Sequence, residues 1–261
     1  MKKTLPLIVS TGLLMLGTAV HAQLYNVQLN GYNNNTFSGA AQIGTSGDIW
    51  NNPDWVGVAT GSTTLFSGLN VLDSTGANNG VSLTLTAAYN NNTTAWNDGG
   101  VFNHYSGQTG GSATSVLMDQ VVKVDYSGTV NVMTLAFTGL PASTSVTAYV
   151  YGAGAGAGQG GAWAMDAANG GDSAIIQYDG SATGRNVTLA SSQGLSWEVL
   201  SGTTDGSGNL TITATGPGSG TWWQTYMNGM QLQVAPVPEP SSMALLGAGV
   251  VALSMLRRRQ S

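Results

Sequence analysis

Alternation of apolar and polar residues with a period of two is the commonest pattern along the chain. Val81, Leu83 and Leu85 alternate with Ser82, Thr84 and Thr86, which predicts a half-buried strand. Residues 24–29 alternate in the same way, with Tyr25, Val27 and Leu29 on one face and Asn26 and Gln28 on the other. Apolar runs at 131–138 and 145–151 flank Gly139, Leu140, Pro141 and Ala142 and read as a hairpin. A second hairpin is expected between 196–200 and 210–215, through the polar segment 204–209. The last strand is expected over 222–234, broken by a bulge or turn at Asn228 and Gly229. Only 115–125 admits a helix, and its run Val121, Val122, Lys123, Val124 suits a strand equally well. The pattern predicts an all-β fold, an antiparallel β-sandwich of jelly-roll type.

Two apolar stretches at the ends follow a different rule. Residues 5–20 are almost wholly apolar, preceded by Lys2 and Lys3 and followed by Val20, His21 and Ala22. This reads as a signal peptide over 1–22, cut by signal peptidase between Ala22 and Gln23. Residues 241–256 carry no charge and are followed by Arg257, Arg258 and Arg259. As a helix they span about 24 Å at ~1.5 Å per residue, short for a hydrocarbon core of ~30 Å. Snorkelling arginines and the preceding Pro240 make up the difference. The arginines belong on the cytoplasmic side, so the expectation is a transmembrane helix over 241–256 and a secreted domain at 23–236.

Separating the ends from the body changes the charge balance. Of the seven basic residues only Lys123 and Arg185 lie in the body, whereas of the twelve acidic residues only Glu239 lies outside it. So acidic a body argues against nucleic acid and anionic lipid as partners. The chain has no cysteine, which removes disulfides and thiol chemistry. An apolar content of 42% with seven tryptophans argues for a buried core despite the abundance of Gly, Asn, Ser and Thr.

Candidate chemistry is sparse. The glycine-rich run 151–161 has neither the following helix nor the lysine of a phosphate cradle, and reads as a loop. His104 is the sole histidine of the body, so a catalytic triad and the usual zinc sets are not expected, and no cofactor is expected. A glycosidase or lyase would need two carboxylates. Asp166 and Asp172 stand near the glycine-rich run and Glu198 lies within a strand, while most other acids have turn-forming neighbours. Asp166, Asp172, Asp205 and Asn209 offer hard oxygens to calcium, but neither segment has EF-hand spacing and plain turns account for both. Polysaccharide contact is the remaining candidate. Trp222 and Trp223 point to opposite faces of a strand, with Gln224 and Tyr226 close by; Trp50, Trp55 and Trp96 lie in Asn- and Asp-rich segments. Against this, tryptophans in a β-sandwich mostly fill core.

Pro238, Glu239 and Pro240, the apolar stretch and the terminal arginines together resemble the PEP-CTERM sorting signal of Gram-negative bacteria. The resemblance covers 237–261. It implies recognition and cleavage near the motif by exosortase, an integral-membrane enzyme, then passage to the cell surface or extracellular matrix. The body resembles secreted modules of galactose-binding type, through Ile43 to Asn51, Gly139 to Gly152, and Met227 to Leu232. The expectation is a non-enzymatic structural or adhesive protein, anchored in the inner membrane in transit and contacting extracellular polysaccharide. The alternative is an extracellular glycan-active enzyme.

Overall fold

A computed structural model of the chain describes residues 22–29, 37, 40–53, 63–88, 100–102, 115–118, 121–124, 132–154, 157–166, 168, 170–180, 187–216 and 225–236. Over these residues the protein is all-β. Its strands are β1 (Gln23–Gln28), β2 (Thr63–Leu72), β3 (Asn78–Ala88), β4 (Gly100–Phe102), β5 (Val121–Val124), β6 (Val132–Thr138) and β7 (Ser145–Tyr151). They continue as β8 (Gly160–Met165), β9 (Ser173–Gln177), β10 (Trp197–Thr203), β11 (Leu210–Thr215), β12 (Thr225–Met227) and β13 (Gly229–Val234). The segment in which helix and strand competed contains both, a single helical turn at Ser115–Met118 and then β5. Branched Val121, Val122 and Val124 suit the pleat better than a helix. Among the described residues no helix is long and apolar enough to cross a membrane; the apolar stretches 5–20 and 241–256 lie outside those residues.

The strands form two sheets. One has the order β1-β13-β7-β10, all antiparallel. The other runs β2-β3-β6-β11-β8-β12-β5-β4, with β9 against β8 and one parallel bridge, Thr225 to Gly160. The alternation predicted for residues 81–86 is realised in β3, where Val81, Leu83 and Leu85 are buried. They share one core with Met133, Leu135 and Phe137 of β6, Ile212 and Ala214 of β11, and Val146, Ala148, Val150, Leu232 and Val234 of the smaller sheet. Burying each such aliphatic side chain is worth roughly 1.5–3 kcal/mol. This shared core holds the unit Ala22–Ala235 together without any cysteine.

Both expected hairpins are instead arches between sheets. β6 pairs with β3 and β11, whereas β7 pairs with β13 and β10, so the loop 139–144 carries the chain from one sheet to the other. The loop 204–209 does the same between β10 and β11. Each of the four strands has one apolar face, and crossing sheets lets both members of a pair turn that face to the common core. The interruption at Asn228 is also a change of sheet: β12 belongs to the larger and β13 to the smaller. Buried Asn228 makes the corner with hydrogen bonds in four directions. Its Nδ2 donates to Met118 O (3.3 Å) and its Oδ1 accepts from Ala153 N (2.9 Å). Its backbone N–H donates to Tyr151 O and its carbonyl accepts from Leu29 N.

Candidate functional site

The end of the smaller sheet at which the chain leaves the domain is built from adjacent strands. Gln23, the first residue of β1, is in register with Val234, the last of β13, and Val234 is also in register with Val146 of β7. Ala235 still donates its N–H to Ser145 O (2.9 Å), and Pro236 is exposed. The residues on either side of the expected signal-peptidase cut, Ala22 and Gln23, thus stand beside the strand that runs into the tail.

Two sheet-crossing loops are stitched together at this same end. Thr204 Oγ1 accepts from Thr144 N (2.9 Å) and donates to Pro141 O (2.6 Å). Ser143 N reaches Asp205 O and Leu140 N reaches Gly208 O. Gly208 has φ +77°, and a Cβ there would meet the carbonyl of Leu140, so only glycine fits. The loop carboxylates cap their own turns. Asp205 Oδ1 accepts from Ser207 N and Asn209 N (2.8 Å each), and Asp205 Oδ2 accepts from Asn209 Nδ2 (2.9 Å). These bonds, that from the Asn209 backbone foremost, hold the Asp205 carboxyl below the usual carboxylate range. Asp73, in the turn between β2 and β3, is pulled upward by partial burial. Hydrogen bonds from Thr75, Ala77 and Asn79 outweigh that pull, and its carboxyl also lies low.

The remaining calcium candidates hold turns as well. Asp166 Oδ1 accepts from Ala168 N (2.8 Å), and Asp172 Oδ1 accepts from Ser201 N (2.7 Å), tying the loop between β8 and β9 to β10. Asp166 and Asp172 share that loop; Asp205 and Asn209 occupy another. Among the described residues no three His, Asp or Glu side chains converge as a metal site would require. Glu198 is half-buried in β10, and its Oε2 accepts from Gln193 Nε2 (3.0 Å) and Val199 N (3.2 Å).

Of the aromatic residues proposed for glycan contact, Tyr226 is buried in β12 at 4% exposure and offers no stacking surface. Trp50 is buried too, edge-on to Phe37 with ring centroids 4.9 Å apart. Trp55, Trp96, His104, Trp222, Trp223 and Gln224 lie outside the described residues, as do the motif Pro238, Glu239 and Pro240 and the arginines Arg257, Arg258 and Arg259.

Sequence reasoning missed a polar layer on the face of the smaller sheet turned away from the main core. Phe37, Trp50, Leu117, Met118, Tyr178, Val187 and Trp197 form a second apolar cluster with Tyr151 of that face. Beneath this cover Gln231 takes a central place. Its Oε1 accepts from Tyr151 Oη (2.5 Å), Gln42 N (3.1 Å) and Ile43 N (3.3 Å), and its Nε2 donates to Asn26 Oδ1 (2.9 Å) and Ile43 O (2.8 Å). Burial drives the Tyr151 hydroxyl far above its ordinary pKa, so it remains a donor. Gln28 Oε1 accepts from Phe37 N (2.6 Å). Asn51 bridges the outer edge of β1 to Leu72, donating from Nδ2 to Asn26 O (2.9 Å) and Leu72 O (2.7 Å). Amides at inward positions of two adjacent strands, Asn26, Gln28 and Gln231, were the available signal.

β13, the last strand of the domain, is followed closely in the chain by Pro238, Glu239 and Pro240. Residues 236–259 match the PEP-CTERM protein-sorting motif. The tail is that of an exosortase substrate, which implies export and membrane-anchored transit in a Gram-negative bacterium. No curated protein and no solved structure matches the chain.

Proposed function

We propose that the protein is a non-enzymatic β-sandwich of jelly-roll, galactose-binding-like organisation. Signal peptidase frees it at Ala22–Gln23, exosortase sorts it through the tail, and it serves at the cell surface or in the extracellular matrix as a structural or adhesive component that contacts polysaccharide. The observation that carries this reading is the sorting motif at 236–259 behind a two-sheet body. The carboxylates of Asp73, Asp166, Asp172 and Asp205 support it, because each is engaged in holding its own loop. The polysaccharide surface is assigned to Trp222, Trp223 and Gln224.

Pull-down of the secreted protein with the producing organism's matrix polysaccharide is expected to retain it. Trp222→Ala with Trp223→Ala should weaken retention roughly fivefold or more, given ~0.5–1.5 kcal/mol per stacked ring. Reducing-sugar release by the parent protein that vanishes in Glu198→Gln or Asp166→Asn would instead establish a glycan-active enzyme and sink the reading.

A further inference from the structure

The sheet ends very close to the sorting motif. Val234 is the last strand residue, Ala235 keeps its hydrogen bond to Ser145, and only Pro236 and Val237 precede Pro238. Three residue steps from Ala235 to Pro238 reach at most about 10 Å, at ~3.3–3.6 Å per residue. A protease binds several residues on each side of its cut as free extended backbone, and susceptibility follows the hydrogen bonding and burial of that backbone. On the domain side such a stretch runs into β13, whose Met230, Leu232 and Val234 are buried and which lies between β1 and β7. The neighbouring loops are tied to one another through Thr204, Ser143 and Gly208.

We propose that the folded domain acts as a brake on removal of its own sorting signal: the seating of Val234 between Gln23 and Val146 limits how often the membrane protease finds a free stretch of chain ahead of Pro238. The inference rests on the tail being an exosortase signal. Cleavage of a segment held in this way follows the population of its opened form when opening and closing are fast. Gln23, the residue freed by signal peptidase, supplies one side of the seat. The brake is therefore complete only when β1 has docked on β13. A folded domain stays anchored longer than the motif alone would dictate, and a frayed one is released sooner.

The test inserts a Gly-Ser spacer of about eight residues, enough to supply an extended stretch by itself, between Pro236 and Val237 of the full-length chain in its own host. Loss of the tail is followed by pulse-chase, with intact mass identifying the new C-terminus. The spacer chain is expected to be processed roughly threefold faster or more, in line with control by a local opening equilibrium. Val146→Ala should speed processing of the parent chain and leave the spacer chain unchanged. If Val146→Ala fails to fold, the spacer comparison decides alone. A spacer chain processed at the parent rate or slower would overturn the brake. Parent and spacer chains that both keep the tail would overturn the sorting reading, and the brake with it.

Discussion

Gln231→Leu is the sharpest probe of how the smaller sheet holds its covering layer. Leucine matches the volume of glutamine but removes five hydrogen bonds at once, to Tyr151, Gln42, Ile43 (twice) and Asn26. Each buried polar group left without a partner costs about 1–3 kcal/mol. Some partners recover: Gln42 N still reaches Tyr151 Oη (3.2 Å), and Asn26 Nδ2 keeps Ile49 O (3.1 Å). Among the described residues, the groups left without a second partner of this kind are the Tyr151 hydroxyl proton, Asn26 Oδ1 and the backbone N–H and C=O of Ile43, so a loss of about 3–5 kcal/mol is expected. Against a total stability of ~5–15 kcal/mol this is a large fraction. Tyr151→Phe removes two bonds, that to Gln231 Oε1 and that from Gln42 N, while Gln42 N and Ile43 N keep Gln231 Oε1 as acceptor, so about 1 kcal/mol is expected. In the Gln231→Leu background Tyr151→Phe strips Gln42 N of its remaining partner and removes a hydroxyl that has lost its acceptor, so the double variant should depart from the sum of the singles by about 1 kcal/mol. Urea unfolding of the secreted protein, followed by tryptophan fluorescence, measures all four corners of the cycle. A Gln231→Leu penalty below about 1 kcal/mol would show that the layer is held by Phe37, Trp50 and Trp197 alone and would refute the reasoning.

Two further outcomes follow from the turns. Asp73 and Asp205 both titrate lower in the folded protein than in the unfolded chain, where carboxyls lie near ~3.9. Their contribution is present above that pKa and is lost as pH falls through the folded value, so thermal stability should hold from pH ~7 to ~5 and drop below about 4; Asp73→Asn with Asp205→Asn should flatten the drop. Gly208→Ala should destabilise by about 1–3 kcal/mol, because the left-handed backbone and the Leu140 carbonyl both oppose a Cβ. Gly206→Ala, with nothing within 4 Å of the added atom, should stay within about 0.5 kcal/mol in the same thermal scan.

Much of the strand content was legible, since Val81, Leu83 and Leu85 face the core as their alternation requires. Pairing was not. The run ending at Thr138 and the run beginning at Ser145 look like hairpin partners, because turn chemistry is local and identical whether the next strand joins the same sheet or the facing one. Exposure was also hard to read. Tyr226 and Trp50 sit among polar neighbours in the chain, yet both are buried by segments distant in sequence.

By itself, the sequence determined the all-β character, the sorting tail and the reliance on burial rather than disulfides. Each of these is written locally, in a period of two, in a contiguous motif or in a composition. Tertiary structure alone decided that Gln23 and Val234 stand side by side, that the loops 139–144 and 204–209 cross between sheets, and that Asn26, Gln28 and Gln231 are interior. These depend on which strands share an edge and what covers a face. Such long-range choices are settled when two apolar faces meet and the polar groups trapped behind them find partners, and no single stretch of the chain records them.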